Sequence, residues 1–80
     1  MLIQLEHADK VAGVKQTRRA LQDGRAKELF LARDADPGLT EPLARLAGER
    51  GIPVQWVDSM RELGRACGIA VGAAVAATVA

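Results

Sequence analysis

Between Glu28 and Arg33 the chain holds an uninterrupted apolar run, Leu29-Phe30-Leu31-Ala32, closed on both sides by charge. The run is short for a helix and lacks the alternation of a strand with one wet face. It therefore reads as a central strand buried on both faces. A strand of that kind needs cover above and below, and 80 residues must supply it. At this length folding buries roughly 60–65 % of the unfolded surface, which fits one domain over residues 1–80 and leaves few residues for elaborate sites.

The remaining elements follow from period and punctuation. Leu2, Ile3 and Leu5 with Glu6 suggest a short opening helix. Gly13 is turn-prone, and Val14 to Gln22 favours a helix. At 100° per residue Val14, Thr17, Ala20 and Leu21 share one side of it, and Lys15, Arg18, Arg19 and Gln22 the other. Asp23-Gly24 ends it. After a turn at Asp34–Gly38, a helix is expected from about Thr40 to Arg50. Thr40 can cap it, Pro42 fits its first turn, and Leu39, Leu43, Leu46 and Ala47 face inward. Gly51 provides the stop. Ile52 to Val57 reads as a second strand with Pro53 near its start, and Ser59-Met60-Arg61-Glu62 has the form of a capping box. From Gly72 to Val79 the alanines favour helix, whereas Val75, Thr78 and Val79 suit a strand. A short sheet with interleaved helices needs another member, which favours strand. The expected fold is α/β, a three-layer α/β/α sandwich with a small mixed sheet.

Composition narrows the function. Phe30 and Trp56 are the only aromatics and Tyr is absent, which argues against a base-stacking platform for single strands. One cysteine, Cys67, forms no internal disulfide. With a single His it offers no zinc spacing, and it suits a reducing cytosol. The N-terminus lacks the uninterrupted apolar core of a signal peptide. The apolar stretch from Ile69 to Ala80 is too short to span a bilayer. A soluble, cytoplasmic protein without membrane contact is expected. The formal net charge is only +1, but its distribution is uneven. Lys15, Arg18, Arg19, Arg25 and Lys27 cluster with Asp23 as the one acid among them, a form of the electrostatic footprint of nucleic-acid binding.

Two segments carry the candidate chemistry. In Gly13-Val14-Lys15-Gln16-Thr17-Arg18-Arg19 a helix begins with cations where acids normally sit, at a cost of about 0.3–1 kcal/mol each in isolation. A phosphate there would reverse the sign, meeting both free N–H groups and basic side chains. The plain alternative is a solvated basic face. In Leu63 to Gly72, Gly68 and Gly72 bracket Ile69, Ala70 and Val71. The glycines could be only a helix cap and a turn. Equally, the loop could present small apolar groups to unstacked bases, the irregular places where RNA is commonly recognised. Elsewhere, Asp34 and Asp36 read as turn and cap residues, His7 as a surface helix residue and Trp56, on a strand pattern, as partly buried core. Base stacking is the minor reading for Trp56. Nothing in the sequence brings Cys67 and His7 together as a nucleophile and base.

These blocks, with Ala32-Arg33-Asp34-Ala35-Asp36-Pro37 and Ile52-Pro53-Val54 between them, resemble in order and spacing the L-seven-Ae family of ribosomal and RNA-binding proteins, particularly its short bacterial YbxF-like branch. The resemblance runs from about Val11 to Val79. It implies binding to kink-turns, RNA duplexes bent sharply by a bulge and tandem sheared G·A pairs. Carried over, Gly13 would admit close backbone approach, Val14 would open the helix, and Lys15 and Gln16 would meet guanine edges. Arg18 would lie in the same basic block, and Arg19 would bond base or phosphate where the family usually has lysine. Ile69, Ala70 and Val71 would cover the extruded nucleotide. Many relatives carry Asn-Glu in place of Lys15-Gln16, a polar residue at Ala70 and proline at Gly72.

The expectation is therefore a ribosomal-protein-like RNA binder, with RNA and ribonucleoprotein or ribosome assemblies as partners. No enzyme activity, cofactor, metal or small-molecule substrate is expected. The alternative is a protein–protein interaction module on the same fold. Catalysis would require another chain, since neither a Gly-x-Gly-x-x-Gly loop nor an acid/base pair is visible.

Overall fold

The computed structural model describes residues 3–80. In chain order its elements are α1 (Ile3–His7), β1 (Lys10–Ala12), α2 (Val14–Gln22), β2 (Ala26–Ala32), α3 (Pro37–Glu49), β3 (Val54–Val57), α4 (Met60–Ala66) and β4 (Val75–Val79). Leu2, assigned to the opening helix from sequence, lies outside the described residues.

The strands form one sheet in the order β1-β4-β2-β3. β2 and β3 are parallel, and β4 is antiparallel to both of its neighbours. The apolar run at the heart of β2 has strands on both sides and splits by parity. Phe30 and Ala32 join Ala76, Leu5, Leu63 and Ala66 beneath α1 and α4. Leu29 and Leu31 join Val75, Ala77, Ala20, Leu21, Leu43 and Ala47 beneath α2 and α3. The result is the three-layer α/β/α sandwich with a mixed sheet. The alanine-rich C-terminal segment is the strand β4, and its small side chains let both helical layers approach the sheet. Ala76 and Ala77 are fully buried.

Several sequence expectations are corrected by packing. β1 was not foreseen. It spans three half-buried residues and is held by pairing Lys10 with Thr78, Val11 with Ala77 and Ala12 with Ala76, too short a stretch to show a period. α3 begins at Pro37, not near Thr40. Asp36 caps it by accepting from the Gly38 N–H at 2.9 Å, and Pro37 occupies its first turn. That start places Thr40, Leu43 and Ala47 inward and Pro42 inside the helix, while Leu39 is 41 % exposed. Leu46 is half-buried against the α2/α3 side of the core. Trp56 is not core. It is 40 % exposed, because β3 is the outer strand and Trp56 has a neighbour on one side only, opposite Leu31. The capping box is as expected, with the Glu62 N–H donating to Ser59 Oγ at 3.0 Å.

Phe30 and Trp56 should behave very differently on truncation. Phe30→Ala should lower unfolding free energy by about 3–5 kcal/mol. Trp56→Ala should cost much less, since a large part of its ring already lies in water. Urea titration followed by circular dichroism checks both.

Candidate nucleic-acid interface

The strand directions decide where the helices start. β1 and β2 are each antiparallel to β4, and β3 is parallel to β2, so β1, β2 and β3 all point the same way. Each is followed directly by a helix, so α2, α3 and α4 begin at one edge of the sheet. Since β4 runs the other way, the loop leading into it reaches the same edge. In open α/β sheets the region outside the carboxyl ends of the strands is where ligands bind.

Each helix start presents unpaired N–H groups and partial positive charge, but the three differ. At α3 the Asp36 carboxylate accepts from the Gly38 N–H at 2.9 Å. At α4 the Met60 N–H donates to Asp34 Oδ1 at 2.8 Å, Ser59 Oγ accepts from Glu62, and Glu62 adds an acid in the first turn. Asp34 and Asp36 are thus cap residues, Asp34 across a gap of 26 residues in sequence. α2 has no such cover. Its N-cap is Gly13, no side chain caps it, and its first turn contains no acid.

Gly13 holds this corner through its backbone. Its N–H donates to the Val75 carbonyl at 3.0 Å and its carbonyl accepts from the Thr17 N–H at 3.0 Å. With φ 95° and ψ 157°, it occupies a region that is essentially glycine-only. Behind it α2 divides cleanly. Thr17, Ala20 and Leu21 are buried, and Lys15, Gln16, Arg18 and Arg19 are exposed. Val14 differs from these four, because its side chain packs against the α2/α3 side of the core. Arg25 lies beyond the helix, 3.6 Å from the Asp23 carboxylate.

The second group of candidates sits on the loop between α4 and β4. Ile69 is 39 % and Val71 71 % exposed, and Ala70 is also exposed. The loop is anchored tightly. A Cβ on buried Gly64 would run into the Val71 carbonyl oxygen, and one on Gly72 would press on Met60. The Ile69 N–H donates to Gly64 O at 3.1 Å and the Ala73 N–H to Met60 O at 3.0 Å. The α2 start and this loop therefore share an edge, joined where Gly13 bonds to Val75 just past the loop. Sequence reasoning did not single out Arg61 and Arg65, which line a cavity with the loop residues. Their spacing on one helix face, next to a glycine-bracketed loop, was the available signal.

Cys67 is half-buried at the end of α4. Burial pushes its thiol pKa up, against a smaller opposing effect of Lys10, which disfavours the thiolate a nucleophile requires. Among the described residues no cluster of three His, Cys, Asp or Glu side chains could hold a metal ion, and no helix is long and apolar enough to cross a membrane.

The backbone at Gly13 can be tested apart from any ligand. Gly13→Ala should cost about 1–3 kcal/mol of stability through backbone strain alone, since the space for a Cβ is open. Gly48→Ala, inside α3 with open space around it, should instead stabilise by roughly 0.5–1 kcal/mol. Thermal unfolding of the two variants provides the comparison.

Residues 3–80 match the ribosomal protein L7Ae/L30e/S12e/Gadd45 family. The chain is 51 % identical over 67 residues to the RNA-binding protein YbxF of Geobacillus stearothermophilus, covering 84 % of this chain and 82 % of that protein. It is 42 % identical over 69 residues to the large ribosomal subunit protein eL8 of Halobacterium salinarum, covering 85 % of this chain and 58 % of that one. Among solved structures, a Giardia lamblia 15.5kD RNA binding protein superposes with a TM-score of 0.90 at 27 % identity, covering 99 % of this chain and 70 % of the other. On sequence and fold together, the chain belongs to the ribosomal protein L7Ae/L30e/S12e/Gadd45 family, in keeping with its bacterial YbxF-like branch.

Proposed function

We propose that this chain is an RNA-binding module that recognises the kink-turn, using the N-terminus of α2 and the apolar loop at Ile69, Ala70 and Val71. The observation that carries the reading is the contrast at the sheet edge. Two helix N-termini are satisfied by the chain's own oxygens, and the third, α2, is uncapped with Lys15 in its first turn. Phosphate and guanine acceptor atoms are what that end lacks.

In this reading the N–H groups that begin α2, with Lys15 and Gln16, contact the widened groove at the sheared G·A pairs. Arg18 and Arg19 continue the contact along the helix, and Ile69 to Val71 cover the extruded nucleotide. The names of relatives such as YbxF, an RNA-binding protein, support the partner class. Similarity to eL8, a large ribosomal subunit protein, supports a ribosomal setting. A second reading, a protein-interaction module, draws on Val54 and Trp56, 36 % and 40 % exposed on the outer strand β3.

Titration with a kink-turn RNA and with a control whose sheared G·A pairs are replaced by Watson–Crick pairs separates the two. Tight binding to the first and weak binding to the second is expected, with affinity falling as salt rises by a log–log slope of roughly −0.7 to −0.9 per neutralised phosphate. Lys15→Ala or Gln16→Ala should each cost on the order of 1–3 kcal/mol. Arg25→Ala should weaken every RNA slightly and alike. Equal, weak binding to both RNAs would sink the kink-turn reading and turn attention to the β3 edge.

A further inference from the structure

The outer side of α4 carries two arginines that the contacts above do not use. Arg61 and Arg65 are both exposed and stand one helical turn apart, so their side chains project together. With Ile69, Ala70, Val71 and Gly72 they line a cavity of about 310 Å3, and no acid lines it. Glu62 stands three positions before Arg65, on a neighbouring part of the helix surface, but it does not line the cavity. The ion pairs found among the described residues are Arg25–Asp23 and Arg33–Asp58, so neither guanidinium of this pair is engaged in one.

The opposite wall is fixed in place. Gly64 lets the Val71 carbonyl rest directly on α4, and Gly72 backs onto Met60. The loop wall of the cavity is therefore preformed. Two planar guanidinium groups match the geometry of a phosphate better than that of any neutral group. Beside them Ile69 and Val71 expose apolar surface, which suits the base or sugar of the same nucleotide. The volume lies at the low end of ligand sites, ~300–1,000 Å3, room for one nucleotide unit and not for a duplex.

We propose that Arg61, Arg65 and the Ile69–Gly72 loop seat one backbone phosphate of the bound RNA, next to the nucleotide that the loop covers. The proposal rests on the kink-turn reading and adds an anionic contact to its apolar one. It places positive charge on both sides of the extruded nucleotide, from α2 on one side and α4 on the other.

The test is a linkage scan. Kink-turn RNAs carrying an uncharged methylphosphonate at one position at a time through the bulge are titrated against the unaltered chain and against the R61Q/R65Q double variant. One linkage is expected whose neutralisation weakens the unaltered chain about tenfold or more and leaves the double variant unmoved. The double variant should also show a salt slope shallower by roughly 0.7–0.9. A scan in which no bulge linkage matters to the unaltered chain overturns the proposal, whether or not the double variant folds. So does a sensitive linkage that affects both proteins equally. In either case retained discrimination of kink-turn from control leaves the broader reading standing. If the unaltered chain does not discriminate, that reading fails first and this one with it.

Discussion

The insertion of β4 between β1 and β2 is the pairing on which the rest of this molecule depends. Because β4 is antiparallel to both, it makes β1 and β2 point the same way although they never touch. The common direction brings the start of α2 to the edge where α3 and α4 also begin. It also brings the loop before β4 to that edge. The Gly13 N–H bonded to Val75 O is the local expression of this arrangement. Without β4 in the middle, the basic helix end and the apolar loop would have no reason to be neighbours. The alanines of β4 thus shape the candidate interface through where their strand lies.

Much of this was legible in the residues, for physical reasons that can be named. The four-residue apolar run in β2 announced a strand buried on both faces, and the structure buries Leu29, Phe30, Leu31 and Ala32 completely. The polar and apolar sides of α2 were readable because a nine-residue helix completes enough turns to show its period. Ser59 and Glu62 announced a cap by type and spacing. What stayed hidden depended on distant partners. β1 exists because β4 lies beside it. The start of α3 shifted because Asp36-Pro37 outcompetes Thr40 as a beginning, an Asp side chain and a preset φ acting together. Trp56 looked like core by residue type, yet an edge position decides burial, and an edge is a property of strand order.

The candidate interface was legible only in part. The basic residues of α2 were visible as a cluster. That their helix start is the uncapped one among three was not, because Asp34 reaches Met60 from an entirely different turn. Likewise the glycines around the second loop were visible, but the reason for Gly64 was not. It is the point at which a carbonyl of the loop rests on α4, a contact no periodicity announces. The site combines side chains that can be counted in the sequence with backbone approaches that only the fold creates.

Were the uncapped start of α2 to take an anion, binding would also be tied to folding. In the free chain Lys15 sits near the positive end of its own helix, a position that weakens the first turn. An anion bound there converts that repulsion into attraction, and it can do so only while the helix exists. Any ligand that prefers the folded chain adds stability by mass action, about 2.7 kcal/mol at a hundredfold excess over its dissociation constant. For an 80-residue chain, whose total stability is of order 5–15 kcal/mol, that is a substantial share. Anion binding and the stability of α2 would therefore be linked, each favouring the other.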